Sequence, residues 1–427
     1  MHKIRIISEY FMSFEHIKKS DRQIYELINS ETKRQRETIN LIASENFVSE
    51  NVLTALGSVF VNKYAEGYAK RRYYGGNDFA DKLEILCQKR ALKLFGLSAK
   101  KWHVNVQSYS GSPANLSIYF ALAPFGKKIM GMPLDMGGHL THGQKVSITG
   151  KLWKQVPYGV NRKTEQLDYG EILKIAKKEK PAFIIAGATA YSRRIDFNKF
   201  REIADRIGAY LVVDMSHIAG LVAGRVHSSP FPYADVVMTT THKTLRGPRA
   251  ALIFCKKELA QKIDKAVFPG TQGGPHMNQV AAIAVALKEA IRPSFKKYIR
   301  QVVKNAKVLA QELQERGLRI VSGGTDTHLF LVDTQSRGIS GKEASEKLEK
   351  AGIIVNKNTI PFDNFTPMNP SGIRLGTSFI TSLGAKEKEM KRITEWICRI
   401  LIKKENPELI LKEARRLTKK LKPAFYN

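Results

Sequence analysis

The chain has 427 residues and an ordinary globular composition, with 43% hydrophobic, 9% aromatic and 26% charged residues. Its 70 lysines and arginines outnumber its 39 aspartates and glutamates, and the formal net charge of +31 invites an interaction with nucleic acid or another anionic surface. The length predicts a large core and two domains, and no apolar run reaches transmembrane length, so we expect no contact with a membrane.

Residues 1–52 are predicted to form a leader and an arm rather than a domain. Glu9 and Glu15 interrupt the apolar residues of the basic N-terminus and no small-residue cleavage site follows, so we expect no signal peptide. Met12 offers an alternative start, which would make residues 1–11 a short leader. From residue 25 to residue 45 the pattern is helical and then irregular, which is typical of an arm.

Residues 53–290 are predicted to form a large layered α/β domain with a mostly parallel sheet, because helical and strand-like segments alternate. The helical segments are "DKLEILCQKRALKLFG" (81–96), "ANLSIYFALA" (114–123) and "FNKFREIADRIG" (197–208). The strand-like segments include "PAFIIAGAT" (181–189) and "AYLVVDM" (209–215). Ligands bind at the carboxyl ends of such strands, so the polar residues that follow each apolar run are candidates for a site.

Residues 291–427 are predicted to form a smaller α+β domain with long basic helices. Its short strands are "RIVSG" (319–323), "LFLVDT" (329–334), "IIVNKN" (353–358) and "GIRLG" (372–376). Most basic residues fall at helix spacing with few aromatics between them, which favours solvated helix faces over a nucleic-acid surface. The segment from Lys403 to Asn427, with eight basic and three acidic residues, is the best candidate for an anion-binding tail.

The three cysteines lie far apart in the sequence and form no CxxC pair. They are Cys87, Cys255 and Cys398. This usage predicts neither a disulfide framework nor a cysteine-ligated metal, and we expect no metal cofactor. It is typical of a reduced protein, so we predict a cytoplasmic location.

The segment "ADVVMTTTHKTLRGPRAALIF" (234–254) places one lysine, Lys243, between two strand-like runs. Only threonine, histidine and leucine surround it closely in the sequence. Burial lowers the pKa of a lysine, and a neutral amine attacks a carbonyl to form a Schiff base. A structural ion pair with a nearby carboxylate explains this stretch alone equally well.

A carboxylate and an imidazole follow the strand-like segment "YLVVD". Asp214 ends this run 29 residues before Lys243, and His217 follows in the turn. A carboxylate in this place can pair with a protonated pyridine nitrogen and turn the ring into an electron sink. The alternative is a helix-capping aspartate beside a core histidine.

The segment "QSYSGSPANLS" predicts a phosphate site at the start of a helix. Ser110, Gly111 and Ser112 come just before a helix that Pro113 can initiate, so free N–H groups and hydroxyls face one point. The segment matches neither a GxGxxG nor a Walker loop, which argues against a dinucleotide or a nucleoside triphosphate. A Schiff-base lysine, a pyridinium partner and a phosphate cup together predict pyridoxal 5′-phosphate as cofactor.

The chain resembles the serine hydroxymethyltransferase family, of fold-type I pyridoxal-phosphate enzymes, from about Ile39 to the C-terminal helices. The matching stretches are "LIASEN" (41–46), "NKYAEGYAKRRYYGG" (62–76), "GGHLTHG" (137–143), "VDMSHIAGLVA" (213–223), "TTTHKTLRGPR" (239–249), "FPGTQGGP" (268–275), "SGGTDTHLFLVD" (322–333) and "SGIRLGT" (371–377). Long matches in one order make the resemblance specific. It implies a large sheet domain followed by a smaller C-terminal domain.

The resemblance implies a cofactor site built around Lys243, which matches the Schiff-base lysine. Asp214 matches the partner of the pyridine nitrogen, and Arg374 the arginine that binds the substrate carboxylate. The other implied cofactor contacts are Ser110, Gly111, Ser112, His139, Thr189, His217, Thr240 and Gly274. His217 is also expected near the substrate, His242 is expected to take part in catalysis, and Gly274 is expected to complete the phosphate cup of the neighbouring subunit.

The resemblance also implies a second set of residues that enter the partner's active site. Glu66 is similar to the acid/base glutamate, with Tyr64 and the catalytic Tyr74 beside the substrate and Ser44 at the same interface. The expected assembly is therefore an obligate homodimer with shared active sites, with a tetramer as the alternative. Leu134, Gly138 and Asn358 match positions that contact the folate.

The implied function is reversible transfer of the serine hydroxymethyl carbon to tetrahydrofolate, which gives glycine and 5,10-methylenetetrahydrofolate. Serine, glycine and tetrahydrofolate are then the expected partners. Two alternatives remain: a folate-independent aldolase with the same cofactor, and a nucleic-acid-binding protein on an enzyme scaffold. The chain departs from the family pattern in a few places, among them Tyr109, where a histidine is common. No departure removes a catalytic group, and the basic surface leaves nucleic-acid binding open.

Overall fold

The computed structural model describes residues 14–423, and the expectations for residues 1–11 lie outside it. The strands are β1 (Ile39–Asn40), β2 (Gly67–Tyr68), β3 (Arg71–Arg72), β4 (Trp102–Asn105), β5 (Lys128–Gly131), β6 (Lys154–Pro157), β7 (Phe183–Ala186), β8 (Tyr210–Asp214), β9 (Val236–Thr240), β10 (Ala251–Lys256), β11 (Arg319–Ile320), β12 (Leu329–Asp333), β13 (Ile353–Ile354), β14 (Asn356–Asn358) and β15 (Gly372–Gly376). The helices are α1 (Glu15–Ser20), α2 (Arg22–Glu37), α3 (Glu50–Leu56), α4 (Asp78–Phe95), α5 (Gly111–Leu122), α6 (Ile148–Leu152), α7 (Tyr169–Glu179), α8 (Phe197–Ile207), α9 (Ala219–Ala223), α10 (Ala260–Lys265), α11 (Met277–Ala290), α12 (Pro293–Glu315), α13 (Gly341–Lys350), α14 (Ser378–Ser382), α15 (Glu387–Leu401) and α16 (Pro407–Thr418). Short 3-10 or π segments lie at Val59–Asn62, Leu134–Met136, Lys257–Leu259, Ala266–Thr271, Val321–Gly323 and Gln335–Arg337.

The large lobe is built on a seven-stranded mixed sheet with the order β4-β10-β9-β8-β7-β5-β6. All pairs from β9 to β6 are parallel, and only β10 runs against its neighbours. Strands β7 and β9 are buried along their whole length, as expected of strands covered by helices on both faces. The predicted fold class, a large and mostly parallel α/β sheet with a smaller C-terminal part, is confirmed.

The ends of the helices follow from local sequence. Gly96 and Gly208 end α4 and α8 in the left-handed conformation, which glycine adopts without a steric penalty. The Asp196 side chain caps α8 by accepting hydrogen bonds from two backbone N–H groups. Helix α5 begins at Gly111, so Pro113 lies within its first turn rather than at its start.

The C-terminal lobe is a four-stranded antiparallel sheet with the order β11-β12-β15-β14, covered by α13, α15 and the second half of α12. The N-terminal arm contributes to this lobe, because β1 pairs in parallel with β13 and both Ile39 and Leu41 lie in its core. The predicted domain limits at residues 52/53 and 290/291 remain predictions.

Helix α12 belongs to two hydrophobic cores. Phe295, Ile299 and Val302 from its first half pack in the core of the large lobe. Leu309 and Leu313 from its second half pack in the core of the C-terminal lobe. In the described part of the chain, no helix combines the length and apolar character needed to cross a bilayer.

Candidate active site

A cavity of about 270 Å³ opens where the carboxyl ends of β8 and β9 meet the start of α5. It brings together twelve of the residues singled out in the sequence. They are Ser44, Ser110, Gly111, Ser112, His139, Thr189, Asp214, His217, Thr240, His242, Lys243 and Arg374. This position agrees with the rule that polar residues after buried parallel strands converge on a ligand site.

Lys243 lies inside this cavity and is only 9% exposed. Burial lowers its pKa to about 8, with the charges of Arg374 and Arg249 adding to the shift and that of Asp214 opposing it. Its backbone carbonyl accepts a hydrogen bond from the Asn46 side chain at 2.8 Å, which fixes the segment that carries the amine. Since a lowered pKa leaves more of the amine neutral, Lys243 is suited to attack a carbonyl carbon.

Asp214 is held as an anion at the end of β8. One of its oxygens, Oδ2, lies 3.2 Å from His142 Nε2 and accepts a hydrogen bond from Asn115 Nδ2 at 3.1 Å, while Oδ1 accepts the Ser216 N–H at 3.0 Å. Burial alone would raise the pKa of this carboxyl, but the hydrogen bond and charge of His142 lower the pKa well below its usual range. An ionised, oriented carboxylate can keep a pyridine nitrogen protonated.

His142 and Asn115 were missed in the sequence. His142 had a usable signal, since it lies three residues after His139 in "GGHLTHG". Asn115 gave none, because it lies inside an apolar helix and meets Asp214 only through the fold. Its amide also donates to Thr141 Oγ1 at 2.8 Å, and Thr141 Oγ1 lies 2.7 Å from His139 Nδ1. One hydrogen-bonded chain therefore connects Asp214 to His139, one of the predicted cofactor contacts.

The residues of the predicted phosphate cup lie at the N-terminus of α5 and line the cavity. The first N–H groups of this 12-residue helix have no partner within the helix, and they lie beside the hydroxyls of Ser110 and Ser112. A Cβ on Gly111 would lie 2.7 Å from Thr240 Cγ2, so glycine is required for this close approach to β9. Thr240 Oγ1 is buried and has no hydrogen-bond partner within residues 14–423.

Three histidines of the cavity, His139, His217 and His242, are held neutral by burial. Burial lowers the pKa of His139 to about 4 and that of His242 to about 3, with charge repulsion from His142 and from Lys243 adding to the respective shifts. Burial also lowers the pKa of His217, whose ring stacks on His328 with centroids 5.5 Å apart. Neutral rings can stack on an aromatic cofactor without bringing a buried charge to it.

Arg374 is fixed by two hydrogen bonds and keeps part of its fork available. Its Nη1 donates to the Thr189 carbonyl at 2.8 Å, and its Nε donates to Asn356 Oδ1 at 3.1 Å. Burial lowers its pKa to about 10, so it stays a cation at neutral pH. Sequence reasoning missed Asn356, which becomes the cross-strand partner of Arg374 only through the register of β14 and β15.

A second set of predicted residues lies outside the cavity, on the surface. Tyr64 and Tyr74 are 60% and 50% exposed and direct their hydroxyls at Glu66, at 3.4 Å and 3.2 Å. Gly274 lies beside them, since a Cβ there would be 3.4 Å from Glu66 Cγ. Tyr109 joins this exposed cluster to the phosphate cup, because its hydroxyl donates to the Gly274 carbonyl at 2.7 Å while Ser110 follows it in the chain.

The three residues expected to contact the folate do not line the cavity. Leu134 begins a short 3-10 turn, and Asn358 ends β14 next to the strand that carries Arg374. A Cβ on Gly138 would lie 1.8 Å from the Met132 carbonyl oxygen, so close backbone packing alone requires a glycine there. These roles remain predictions.

The donor set fits pyridoxal phosphate. Buried polar atoms without a partner among the described residues include His217 Nε2, Thr240 Oγ1 and His242 Nδ1, and all three residues line the cavity. Unpaired buried polar atoms are rare in folded proteins and indicate a missing ligand or water. Within residues 14–423 no group of three or more His, Cys, Asp or Glu side chains is placed to hold a metal ion.

The fold and this cavity together define the class of fold-type I pyridoxal-phosphate enzymes. The model of the serine hydroxymethyltransferase family matches residues 17–397 of the chain. A serine hydroxymethyltransferase of Coprothermobacter proteolyticus is 55% identical over 393 residues, which cover 92% of this chain and 94% of the relative. One of Koribacter versatilis is 54% identical over 394 residues, 92% of each chain. The chain belongs to the serine hydroxymethyltransferase family, as the sequence motifs predicted.

Proposed function

We propose that the protein transfers the hydroxymethyl carbon of serine reversibly to tetrahydrofolate, giving glycine and 5,10-methylenetetrahydrofolate, with pyridoxal phosphate held as a Schiff base on Lys243. The observation that carries this proposal is a buried lysine of lowered pKa in one cavity with Asp214 and Arg374. The relatives, both named serine hydroxymethyltransferase, support the same reaction.

The cavity divides the binding work among three groups of residues. Ser110, Gly111 and Ser112 would hold the cofactor phosphate, and Asp214 its pyridine nitrogen. Arg374 lines the cavity, and its Nη2 has no hydrogen-bond partner among residues 14–423, so it would bind the substrate carboxylate while Thr189 and Asn356 keep the guanidinium in place. When bound, pyridoxal phosphate supplies an electron sink for the carbanion left by cleavage of the Cα–Cβ bond.

Proton transfer is assigned to the exposed cluster. Glu66, with Tyr64 and Tyr74 hydrogen-bonded to its two oxygens, would take the proton of the serine hydroxyl and return it during the folate step. Because this cluster lies outside the cavity of its own chain, we propose that it completes the cavity of a partner copy. The large apolar side chains exposed nearby, Val59, Tyr73 and Phe79, support an interface at this surface.

The remaining assignments rest on the family. Leu134, Gly138 and Asn358 are proposed to contact tetrahydrofolate, Ser44 to lie at the shared interface, and His242 to assist catalysis beside Lys243. The assembly is proposed to be an obligate homodimer or a tetramer of such dimers. We propose a cytoplasmic location, in keeping with three cysteines that are all buried and unpaired.

The first experiment follows visible absorption of the purified protein loaded with pyridoxal phosphate, as glycine and then tetrahydrofolate are added. We expect glycine to change the spectrum and tetrahydrofolate to change it further. In Lys243→Ala the spectral changes caused by glycine and tetrahydrofolate should be lost. Serine cleavage should fall by at least about 1,000-fold, since the lysine and the cofactor are both needed for the covalent chemistry. The matched control is Lys177→Ala, which removes an exposed lysine from α7 and should leave both signals unchanged.

Each of the remaining outcomes of this experiment favours one alternative function. A response to glycine that tetrahydrofolate does not alter, with serine cleavage independent of folate, would favour the aldolase. If the protein shows no visible absorption from bound cofactor after incubation with pyridoxal phosphate, the enzyme proposal fails. Tight binding of RNA that weakens steeply with salt, together with that failure, would then favour the nucleic-acid-binding alternative.

A further inference from the structure

A second cavity, of about 530 Å³, shares no lining residue with the cavity that contains Lys243. Three separate segments border it: the loop after β7 through Arg194, the turn after α9 through residues 225–228, and the exposed face of α12 through Arg300 and Val303. No residue of this cavity has a role in the proposed reaction. We call it the arginine cavity.

The charge of the arginine cavity is entirely positive. It is lined by the exposed guanidinium groups of Arg194, Arg225 and Arg300, and none of its lining residues is acidic. The guanidinium groups of Arg225 and Arg300 form no hydrogen bond or ion pair with any residue from 14 to 423, and Arg194 uses its guanidinium only to donate to the Val226 carbonyl at 3.2 Å. The carboxylate of Asp326 beside this region is engaged by Arg193 and by the Arg194 backbone N–H.

A buried histidine in the wall of the arginine cavity lacks a partner on one side. His227 is 6% exposed, and its Nδ1 lies 3.0 Å from the carbonyl oxygen and 3.3 Å from the hydroxyl oxygen of Ser228, so Nδ1 has partners in either tautomer. Its Nε2 is left without a hydrogen-bond partner among the described residues. Because buried polar atoms almost always have a partner, this unpaired nitrogen in the cavity wall indicates a bound water, ion or ligand atom beside it.

The backbone beside this histidine is strained. Arg225 has a φ of 58°, in the left-handed region that costs a side chain free energy and favours glycine. An arginine at this position projects a cation into the cavity in spite of that cost. Strained residues of this kind concentrate at binding sites, where the surrounding structure holds them in place.

We propose that the arginine cavity binds a small organic phosphate. Three guanidinium groups suit a phosphoryl group of two negative charges, because an arginine fork makes paired hydrogen bonds to its oxygens. The volume lies within the range of small-molecule sites, so there is room for an organic body as well as the phosphoryl group. Val226 and Val303 supply the apolar surface for that body.

The test is calorimetric titration of the pyridoxal-phosphate-loaded protein with β-glycerophosphate at constant ionic strength. Loading fills the phosphate cup of the first cavity, so the probe reports on the second. We expect saturable binding whose dissociation constant rises about tenfold or more in Arg225→Gly and in Arg300→Gln, since each loses a charge-assisted hydrogen bond. Arg225→Gly also relieves the backbone strain, so its loss of binding cannot come from misfolding.

The matched control is Arg416→Gln, which removes one exposed arginine from α16 and should leave the dissociation constant unchanged. The proposal is overturned if the wild-type protein binds no probe, or if Arg416→Gln weakens binding as much as the cavity variants do. It is also overturned if tricarballylate binds through Arg225 and Arg300 while β-glycerophosphate does not. If the protein fails to take up pyridoxal phosphate, the probe can also reach the phosphate cup, and only the binding that is lost in Arg225→Gly and in Arg300→Gln reports on the arginine cavity.

Discussion

The Lys243 cavity and the Glu66 cluster are proposed to form one active site, yet they differ in every physical respect. The cavity is buried, its groups are oriented by hydrogen bonds within one chain, and burial lowers the pKa values of Lys243 and Arg374. The cluster is exposed, and its two tyrosines and one glutamate are held mainly by each other. Under the proposed shared site, one chain orients the groups that hold the cofactor by itself, whereas the groups proposed for proton transfer act only against a second copy of the chain.

The largest effect is expected when the carboxylate of the exposed cluster is removed. Glu66→Gln should lower serine turnover about 10²- to 10⁴-fold, because a positioned acid/base contributes about that much. Cofactor absorption should stay normal, since Glu66 does not line the cavity of its own chain. The measurement is turnover in the presence of tetrahydrofolate, together with the visible spectrum.

Mixing two inactive variants then shows which chain Glu66 serves. If Glu66 acts across the dimer, unfolding and refolding Glu66→Gln together with Lys243→Ala gives heterodimers with one intact site, and about one quarter of the wild-type activity should return. Refolding either variant alone provides the control. If verified heterodimers regain no activity, Glu66 acts in the active site of its own chain. The proposal that two chains share each active site would then be wrong.

A smaller loss of activity is expected when Arg374, which is proposed to bind the substrate carboxylate, is replaced by lysine. Arg374→Lys keeps the charge but removes the fork, so the KM for serine should rise about 10- to 100-fold with a smaller change in kcat. Arg193→Lys, at a partly buried arginine outside the cavity, is the matched control and should leave KM near the wild-type value. A fall in kcat with unchanged KM would contradict the carboxylate role.

The pH dependence of cofactor attachment separates the buried amine from exposed lysines. Because the pKa of Lys243 is lowered to about 8, the attachment rate on cofactor-free protein should fall about tenfold per pH unit below pH 8 and level off above it. An exposed lysine would keep gaining reactivity up to its ordinary pKa, as attachment to Lys243→Ala should do.

The same shift predicts a stability change with a definite sign. Between pH 8 and about 10.5 the unfolded chain binds a proton at Lys243 that the folded chain has released, so the free energy of unfolding of cofactor-free protein should rise with pH in this window relative to Lys243→Met. Chemical denaturation at several pH values measures it. A difference that falls with pH would contradict a lowered pKa.

The smallest effect is expected at the link between the two regions. Tyr109→Phe keeps the ring that stacks on His276 but removes the hydrogen bond to the Gly274 carbonyl. Cofactor affinity should weaken about two- to tenfold, the value of one neutral hydrogen bond. Tyr191→Phe, which alters a hydroxyl contact elsewhere in the large lobe, should leave cofactor affinity unchanged. An unchanged affinity in Tyr109→Phe would separate the Gly274 loop from the phosphate cup.

The sequence was most informative where a physical cause is local. Glycine ends α4 and α8, and apolar runs form the buried strands. The position of Lys243 was also predictable, because the same short segment contains the buried strand β9 and the lysine that follows it. It was silent where contacts depend on register and topology. Asn115 reaches Asp214 across 99 residues, and Asn356 meets Arg374 only through strand pairing. Periodicity predicts which face of an element is buried but not what lies opposite it.

The arm and the long helix illustrate the same limit on a larger scale. The irregular residues after α2 gave no sign that β1 would join the C-terminal lobe, because a two-residue strand has no period to detect. The basic residues at helix spacing after residue 291 predicted long helices, but which core each half of α12 would enter depended on the rest of the fold.

The continuity of α12 has a mechanical consequence. A helix anchored by its first turns in one core and by its last turns in the other acts as a rigid strut, so a displacement at one end is transmitted along about 35 Å of helix to the other. Arg300 stands on the outer side of this strut, and Thr377, one residue after the strand that carries Arg374, donates its hydroxyl proton to the Val302 carbonyl at 2.7 Å. A ligand that displaced the outer face of α12 would therefore move the same helix that contacts the end of the strand carrying Arg374.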